Sequence, residues 1–471
     1  MNNIIENKLR SIDRISFHVP GHKYGRIYKK YGISNILDLD TTEIPGTDNL
    51  HSPEGIIRES QVRAANFFGA DNTFFLVNGT TSGNISALLA SLNPGEKVLV
   101  PRNCHKSVVS GMIMGGIEPV YMMPKIYRGI SMGMDLNTLE NKLKEDIQIK
   151  AILITNPNYY GICADIEKIS EIAHKYGKIL IVDEAHGSHL ILSEKLPMDA
   201  LRAGADMVCQ STHKTLMSFT QSSMIHVKGN RVDRDRLKFM LRMNQSTSPS
   251  YLLMNSLDTT VSILIEDGKK LIDNLINNLE EFYKKLEHID IDYFSRKKLS
   301  PYNVYDYDLT RIVIDMTKYG IIGTKLEKIL YEKYNIQMEM SDTNHIVGVA
   351  TIGNIKDDFE KLYEALKHIK EVYGKKEIIE EKTLNYNMLP KVILNPRQAA
   401  YGQKKSIKLE DSIGHISGEY IIPYPPGIPL LCPGEEISKD LINHIKLLKD
   451  NHINLTGIKD KSLMFIQVIE K

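Results

Sequence analysis

Two rhythms of apolar residues alternate along the chain. Short apolar runs stand at Thr73-Phe-Phe-Leu-Val77, Lys97 to Pro101, Ala151 to Thr155, Ile179 to Asp183, Asp206 to Gln210 and Ser223 to Val227. Between them lie stretches of helical periodicity: Ile56 to Phe68, Ile85 to Leu92, His105 to Gly115 and Asp165 to Tyr176. Strands separated by helical patterns predict an α/β fold built on a largely parallel sheet. The run Ile179-Leu-Ile-Val182 is apolar throughout, as expected of a strand buried on both faces.

The second half follows a different plan. A long amphipathic pattern from about Leu257 to His288 predicts one helix able to bridge two domains. Arg311 to Met316, Gly323 to Tyr334, Ile336 to Met340, Ile346 to Thr351 and Asp358 to Ile369 then read as strand, helix, strand, strand, helix, a smaller α+β unit. Lys370 to Lys382 is charge-rich, either a solvated helix or a linker, and Tyr420 to Leu430 carries too many prolines for a regular helix. The resulting division is an N-terminal segment (1–40), a large domain (41–290), a small α+β domain (291–382) and a C-terminal domain (383–471).

Composition narrows the class without choosing a chemistry. The 471 residues are 42% hydrophobic and 25% charged, ordinary values for a globular protein of two or three domains. With 59 basic and 58 acidic residues the net charge is +1, so no global field favours nucleic acid or an anionic membrane. The cysteines Cys104, Cys163, Cys209 and Cys432 show no CxxC spacing, which suits neither a zinc site nor a disulfide framework and fits a reducing cytoplasm. The N-terminal residues lack the regions of a signal peptide, and no apolar run approaches the ~20 residues of a membrane span.

Candidate chemistry gathers where predicted strands end. Lys214, in Gln210-Ser-Thr-His-Lys-Thr-Leu216, is a candidate nucleophile, because a lysine amine near His213 and Ser211 attacks carbonyls once its pKa is lowered. Asp183 ends a buried strand, the place where α/β sheets bind ligands. A Schiff-base lysine with a strand-end aspartate suggests pyridoxal phosphate (PLP), whose pyridinium nitrogen needs an acidic partner. Asn78-Gly-Thr-Thr-Ser-Gly-Asn84 leads from a strand into a helix, either an anion site or a capping cluster without a ligand. His105 and the loop Asn156-Pro-Asn-Tyr-Tyr-Gly161 join the same rim, and two long polar loops, Ser16 to Gly25 and Asp40 to Gly55, are either surface connections or parts of a site. Asp183-Glu-Ala-His186 also looks like the acidic strand of a DEAH-type ATPase, but the chain has no G-x-x-x-x-G-K-[ST] loop. His186 and His189, three apart, lack the further ligands of a metal site, so no metal is expected.

Taken together these stretches resemble the Orn/Lys/Arg decarboxylases. The resemblance rests on Phe17-His-Val-Pro-Gly-His-Lys23, Thr42-Glu-Ile-Pro-Gly-Thr-Asp-Asn-Leu-His51, Asn78-Gly-Thr-Thr81, Arg102-Asn-Cys-His-Lys-Ser107, Asp183-Glu-Ala-His-Gly187, Ser211-Thr-His-Lys214 and Pro423-Tyr-Pro-Pro-Gly-Ile-Pro429. It implies an aspartate-aminotransferase-like (fold type I) architecture with a mainly parallel, seven-stranded-type sheet and a C-terminal α+β region. It also implies that Lys214 forms the Schiff base with PLP, Asp183 pairs with the pyridinium nitrogen, and Thr80, Thr81, Ser211 and His213 hold the phosphate. His105 stacks on one face of the ring, Ala185 packs the other, and Lys214 or His213 returns a proton to Cα; the role of His186 stays open. Glu43, Asp48 and Glu435 either reach a cationic substrate tail across a dimer interface or serve as caps and salt bridges. Arg397 either binds the substrate carboxylate or pairs at a domain boundary.

The resemblance further implies a homodimeric or larger cytoplasmic enzyme of the short form, without an N-terminal wing domain. The expected substrate is arginine, giving agmatine for polyamine synthesis, with lysine and ornithine as alternatives. A non-decarboxylating PLP protein or a DEAH-like ATPase is the alternative of another class.

Overall fold

The computed structural model describes residues 15–18, 22–23, 26–31, 39–44, 46–128, 130–302, 304–375, 389–424, 429–450 and 454–470. Parts of the expected motifs lie outside these: 19–21 and 24–25 of the first polar loop, 45 of the second, 376–382 of the charge-rich stretch and 425–428 of the proline-rich one.

A seven-stranded sheet organises the chain. Its strands are β1 (Asn72–Leu76), β2 (Lys97–Pro101), β3 (Glu118–Met122), β4 (Ile149–Thr155), β5 (Ile179–Asp183), β6 (Met207–Gln210) and β7 (Ser223–Val227). They lie in the order β1-β7-β6-β5-β4-β2-β3, with β7 antiparallel to both neighbours and every other pairing parallel. Six of the seven were legible as apolar runs; β3, Glu-Pro-Val-Tyr-Met, was not, because it is the half-buried edge strand and carries a proline.

Alternation along the inner strands feeds two cores. Ile152 and Ile154 of β4, with Leu180 and Val182 of β5, pack on the face covered by the long helix Tyr251–His288. Ala151 and Leu153, with Ile181, pack on the opposite face. There lie the helices Gly79–Ser91 and Lys106–Gly115. With both faces covered, a polar group on an inner strand needs a buried partner, as His226 has in Thr73, or a place at the strand end, where Asp183 stands.

We number the helices used below α1 (Ile56–Phe68), α2 (Gly79–Ser91), α3 (Lys106–Gly115), α4 (Thr212–Thr215) and α5 (Tyr251–His288). Helix α2 begins well before the expected Ile85, so the Gly/Thr/Ser stretch read as a turn is its first turns. Those residues have weak helix propensity, but tertiary packing overrides it. Thr80, Ser82, Gly83 and Asn84 are buried, and a Cβ on Gly83 would stand 2.8 Å from the Leu76 side chain. Small residues are what let α2 lie against the sheet.

After α5, a four-stranded antiparallel sheet forms from β8 (Asp292–Tyr293), β9 (Arg311–Asp315), β10 (Met340–Ser341) and β11 (His345–Val349), in the order β8-β9-β11-β10. The single strand expected over Ile336 to Met340 is broken. Ile336–Gln337 pairs with Ile15–Ser16, and β10 turns instead to β11. The C-terminal residues form a third core around Leu431, Leu441, Ile445 and Val468, under a ladder between Lys404–Lys408 and Phe465–Ile469. Among the described residues no helix is long and apolar enough to cross a membrane, and no cluster of His, Cys, Asp or Glu is arranged to hold a metal.

Candidate active site

At the carboxyl end of β5, the buried Asp183 carboxylate accepts two neutral hydrogen bonds. Asn84 donates to Oδ2 over 2.9 Å and the Ala185 N–H donates to Oδ1 over 3.2 Å. Asn84, on α2, spends its other amide hydrogen on Ser107 Oγ at 3.1 Å. Ser107 Oγ lies 2.8 Å from His105 Nδ1, and the Ser107 N–H donates to the same nitrogen over 3.2 Å. Nδ1 is therefore an acceptor, and the neutral His105 ring carries its proton on Nε2. His105 thus caps α3 while its orientation is tied through Ser107 and Asn84 to Asp183. Asn84 and Ser107 end two of the quoted motifs without a role of their own there; an asparagine on an otherwise small and apolar helix face is the signal that marks the first.

Lys214 sits on α4, immediately after β6. Its Nζ lies 3.2 Å from His186 Nε2. Burial pushes the ammonium below its usual pKa range; the Asp183 carboxylate opposes that shift and the Arg311 charge adds to it. His213, the neighbour expected to serve Lys214, turns elsewhere: its Nδ1–H donates to the Ser222 carbonyl over 2.8 Å, and burial lowers its pKa to about 4. The histidine that meets the lysine is His186.

Arg311, which the sequence shows only as the start of a strand, is fully buried and donates through Nη2 to His186 twice, to Nδ1 at 3.1 Å and to the carbonyl at 3.1 Å. Its path crosses Gly161, whose φ of +83° and bare Cα make room; a Cβ there would stand 2.6 Å from Arg311 Cγ. The Tyr159 ring meets His186 edge to face with centroids 4.8 Å apart, and its hydroxyl donates to Glu339 over 2.5 Å. Nearby, the buried Lys23 ammonium donates to the carbonyls of His18 and Val349, and burial lowers its pKa to about 7.

A cluster of hydroxyls completes the site. Thr80 Oγ1, on the first turn of α2, lies 2.6 Å from Ser211 Oγ and donates to Ser223 Oγ at 3.2 Å. Hydroxyls beside a helix start suit a phosphate, and a buried carboxylate held by neutral donors suits a protonated ring nitrogen. A lysine able to stay neutral suits an aldehyde. These residues fit PLP. Thr81, expected to join the phosphate, is exposed on α2, and Ala185 is buried beside Asp183.

The residues expected around a substrate tail do not gather with this group. Glu435 is buried in a two-pronged ion pair with Arg102 (2.5 and 2.7 Å) and also accepts from the Cys432 N–H. Asp48 accepts from the backbone N–H groups of Glu54, Gly55, Ile57 and Arg58 at the start of α1. Of the two readings open for each, the geometry matches the cap for Asp48 and the salt bridge for Glu435. Glu43 is half-buried and accepts from the Thr42 hydroxyl, while Arg397 is exposed and donates to the Met114 carbonyl.

Known proteins place the chain. The family model described as "Orn/Lys/Arg decarboxylase, major domain" matches residues 7–305, and the one for the C-terminal domain of the same family matches 379–461. Arginine decarboxylase of Bacillus subtilis (strain 168) is 35% identical over 97% of this chain and 95% of its own length. That of Bacillus anthracis is 36% identical over 97% and 94%. Among solved structures, the lysine decarboxylase LdcF of Francisella novicida superposes with a TM-score of 0.79 at 23% identity, covering 98% of this chain and 80% of that one, a likeness of fold. An alanine–glyoxylate aminotransferase from Nostoc sp. superposes at 0.59 and 14% identity over 78% of this chain and 99% of its own. A parallel sheet of this order, a lysine and an aspartate at adjacent strand ends, and family matches to both parts of the chain lead to one conclusion: it belongs to the Orn/Lys/Arg decarboxylase family and is a PLP-dependent amino acid decarboxylase of fold type I.

Proposed function

We propose that the chain converts L-arginine to agmatine and carbon dioxide, with Lys214 as the lysine that carries PLP. The observation that carries the choice of arginine is the 35% identity to an arginine decarboxylase over nearly the whole of both chains. The lysine decarboxylase LdcA of Pseudomonas aeruginosa is 23% identical and matches over 74% of its length.

When bound, PLP supplies a ring that accepts the electron pair left as the carboxylate departs. The residues of the chain do the rest. Asp183, oriented by Asn84, would hold a proton on the ring nitrogen. Thr80 and Ser211 hold the phosphate, with Thr81 and His213 assigned to the same end. His105 and Ala185 would line the ring, and Lys214 would supply the proton that replaces the carboxylate at Cα. One C–C bond breaks, one C–H bond forms, and carbon dioxide leaves. The same reading makes the enzyme a cytoplasmic homodimer working in polyamine synthesis. Glu43 is the remaining acid assigned to the guanidinium tail, and Arg397 is left at the domain boundary.

The test is direct. The purified, PLP-loaded protein is incubated separately with arginine, lysine and ornithine, and the product amine is identified by mass spectrometry. Agmatine is expected. Cadaverine or putrescine would move the substrate within the family, and no amine at all would overturn the reading.

A further inference from the structure

Arg311 is a buried arginine with an unusual set of partners. Its side chain has no exposure, yet among the described residues Nε and Nη1 make no hydrogen bond, and the nearest acid, Asp308 Oδ2, stands 3.8 Å from Nε. Among the described residues all the hydrogen bonding of its side chain goes to a single residue: Nη2 donates to both the ring and the carbonyl of His186. Gripping ring and backbone together fixes how the imidazole is turned, and Tyr159 holds its edge.

A guanidinium only donates, so His186 Nδ1 must accept, and the proton of the neutral ring must sit on Nε2. Nε2 is the atom 3.2 Å from Lys214 Nζ. An Nε2–H facing a neutral amine makes a hydrogen bond. Facing an ammonium, it is one donor against another. For Lys214 to be charged and bonded to His186, the ring would have to carry its proton on Nδ1, against Arg311.

We propose that Arg311 is a positioning residue that sets the tautomer of His186, and that His186 thereby selects the neutral, nucleophilic form of Lys214. The other charged and titratable groups facing Lys214 are Asp183 and Glu339, which favour its charge, and His105 and His213. Two acids near a lysine would ordinarily hold it protonated. Burial, the Arg311 charge and the tautomer oppose them. His186 itself is held well below the usual histidine range, by burial first and then by Lys214 and Arg311, so its ring stays neutral while it does this. The inference uses the reading of Lys214 as the cofactor-bearing amine only for its purpose; the tautomer and the protonation of Lys214 are properties of the chain alone.

The experiment therefore uses the full chain without cofactor. Solid-state 15N spectra of histidine-labelled protein, with His186 identified by the signal lost in His186→Phe, should show a bare Nδ1 and a protonated Nε2. Competitive acetylation across pH, read on the Lys214 peptide, should give a midpoint that rises by at least about one unit in Arg311→Met. Introduced into His186→Phe, the same substitution should raise the midpoint by clearly less, because only the charge then remains to be lost. A proton on Nδ1 in the wild-type chain overturns the proposal, whether or not Arg311→Met folds. Equal shifts in the two backgrounds also overturn it, by showing that charge alone acts. Neither readout needs substrate, so failure here leaves the decarboxylase reading standing, and a chain that made no agmatine could still show the tautomer.

Discussion

Arg102 and Arg311 are both removed from solvent, at 1% and 0% exposure, yet the fold treats them in opposite ways. Arg102, at the end of β2, has a carboxylate on two prongs, the Pro429 carbonyl on Nε at 2.8 Å, and the Tyr121 ring 4.8 Å from its guanidinium carbon. Each of its three nitrogens has a hydrogen-bond partner, and those partners come from the C-terminal domain. Arg311 has one prong engaged, on a histidine that touches Lys214. A buried cation whose donors are all matched is a fastener. One left largely unmatched and aimed into a site imposes its charge and its donors on a neighbour. The difference shows that burial alone does not tell a structural charge from a functional one; the partners do.

The largest test breaks the fastener. Glu435→Ala leaves Arg102 buried without its carboxylate and should cost about 3–5 kcal/mol in urea unfolding. Replacing both partners, Arg102→Met with Glu435→Leu, should recover most of that loss. Arg311→Met should cost clearly less stability than Glu435→Ala, because it removes a charge that the fold barely compensates. A result in the reverse order would remove the distinction between the two arginines.

Next comes pH. His213 and His226, held to about 4 and about 3, stay neutral in the folded chain, whereas an unfolded histidine takes up a proton near pH 6.5. The unfolded state therefore binds more protons as pH falls, and stability should drop below about pH 6.5 by ~1.4 kcal/mol per pH unit for each such histidine. The loss should level off near pH 4 for His213 and near pH 3 for His226. Denaturant melts at pH 7.5, 6 and 5 would read the slope, and the Arg102→Met, Glu435→Leu pair should leave it unchanged, since it arises on the other side of the molecule's division of labour.

The smallest effect is expected at Asp48. Its carboxylate serves the first turn of α1 from a loop, so Asp48→Ala should cost about 1 kcal/mol. KM for the substrate should not move. A changed KM would return Asp48 to the substrate pocket and sharpen the line between acids that build the fold and acids that use it.

Much of this was legible in the sequence where the signal is local. Asp183 stands out because an apolar run ends on it and Lys214 because it closely follows another, beside His213 and Ser211, and β5, β6 and β7 emerge nearly to the residue. Arg311 does not. In Thr310-Arg-Ile-Val-Ile-Asp315 an arginine at a strand start reads as a surface charge, and its burial depends on Gly161 and His186, far away in sequence. Glu435 stays open between a substrate acid and a salt bridge for the same reason: Pro433-Gly-Glu-Glu436 does not show its partner, and only the folded chain brings it to Arg102. The start of α2 was missed because Gly, Thr and Ser signal turns locally, while the sheet beneath them demands small residues in a helix.

The fastener also has a schedule. Arg102 and Glu435 are 333 residues apart, so at ~5–20 residues per second a ribosome finishes the acid roughly 17 to 67 seconds after the base. Until then the end of β2 carries a charge with no carboxylate to meet it. A chain released early, or cut before Glu435, keeps that charge without its carboxylate, and the seam between β2 and the C-terminal residues closes only when synthesis is almost over.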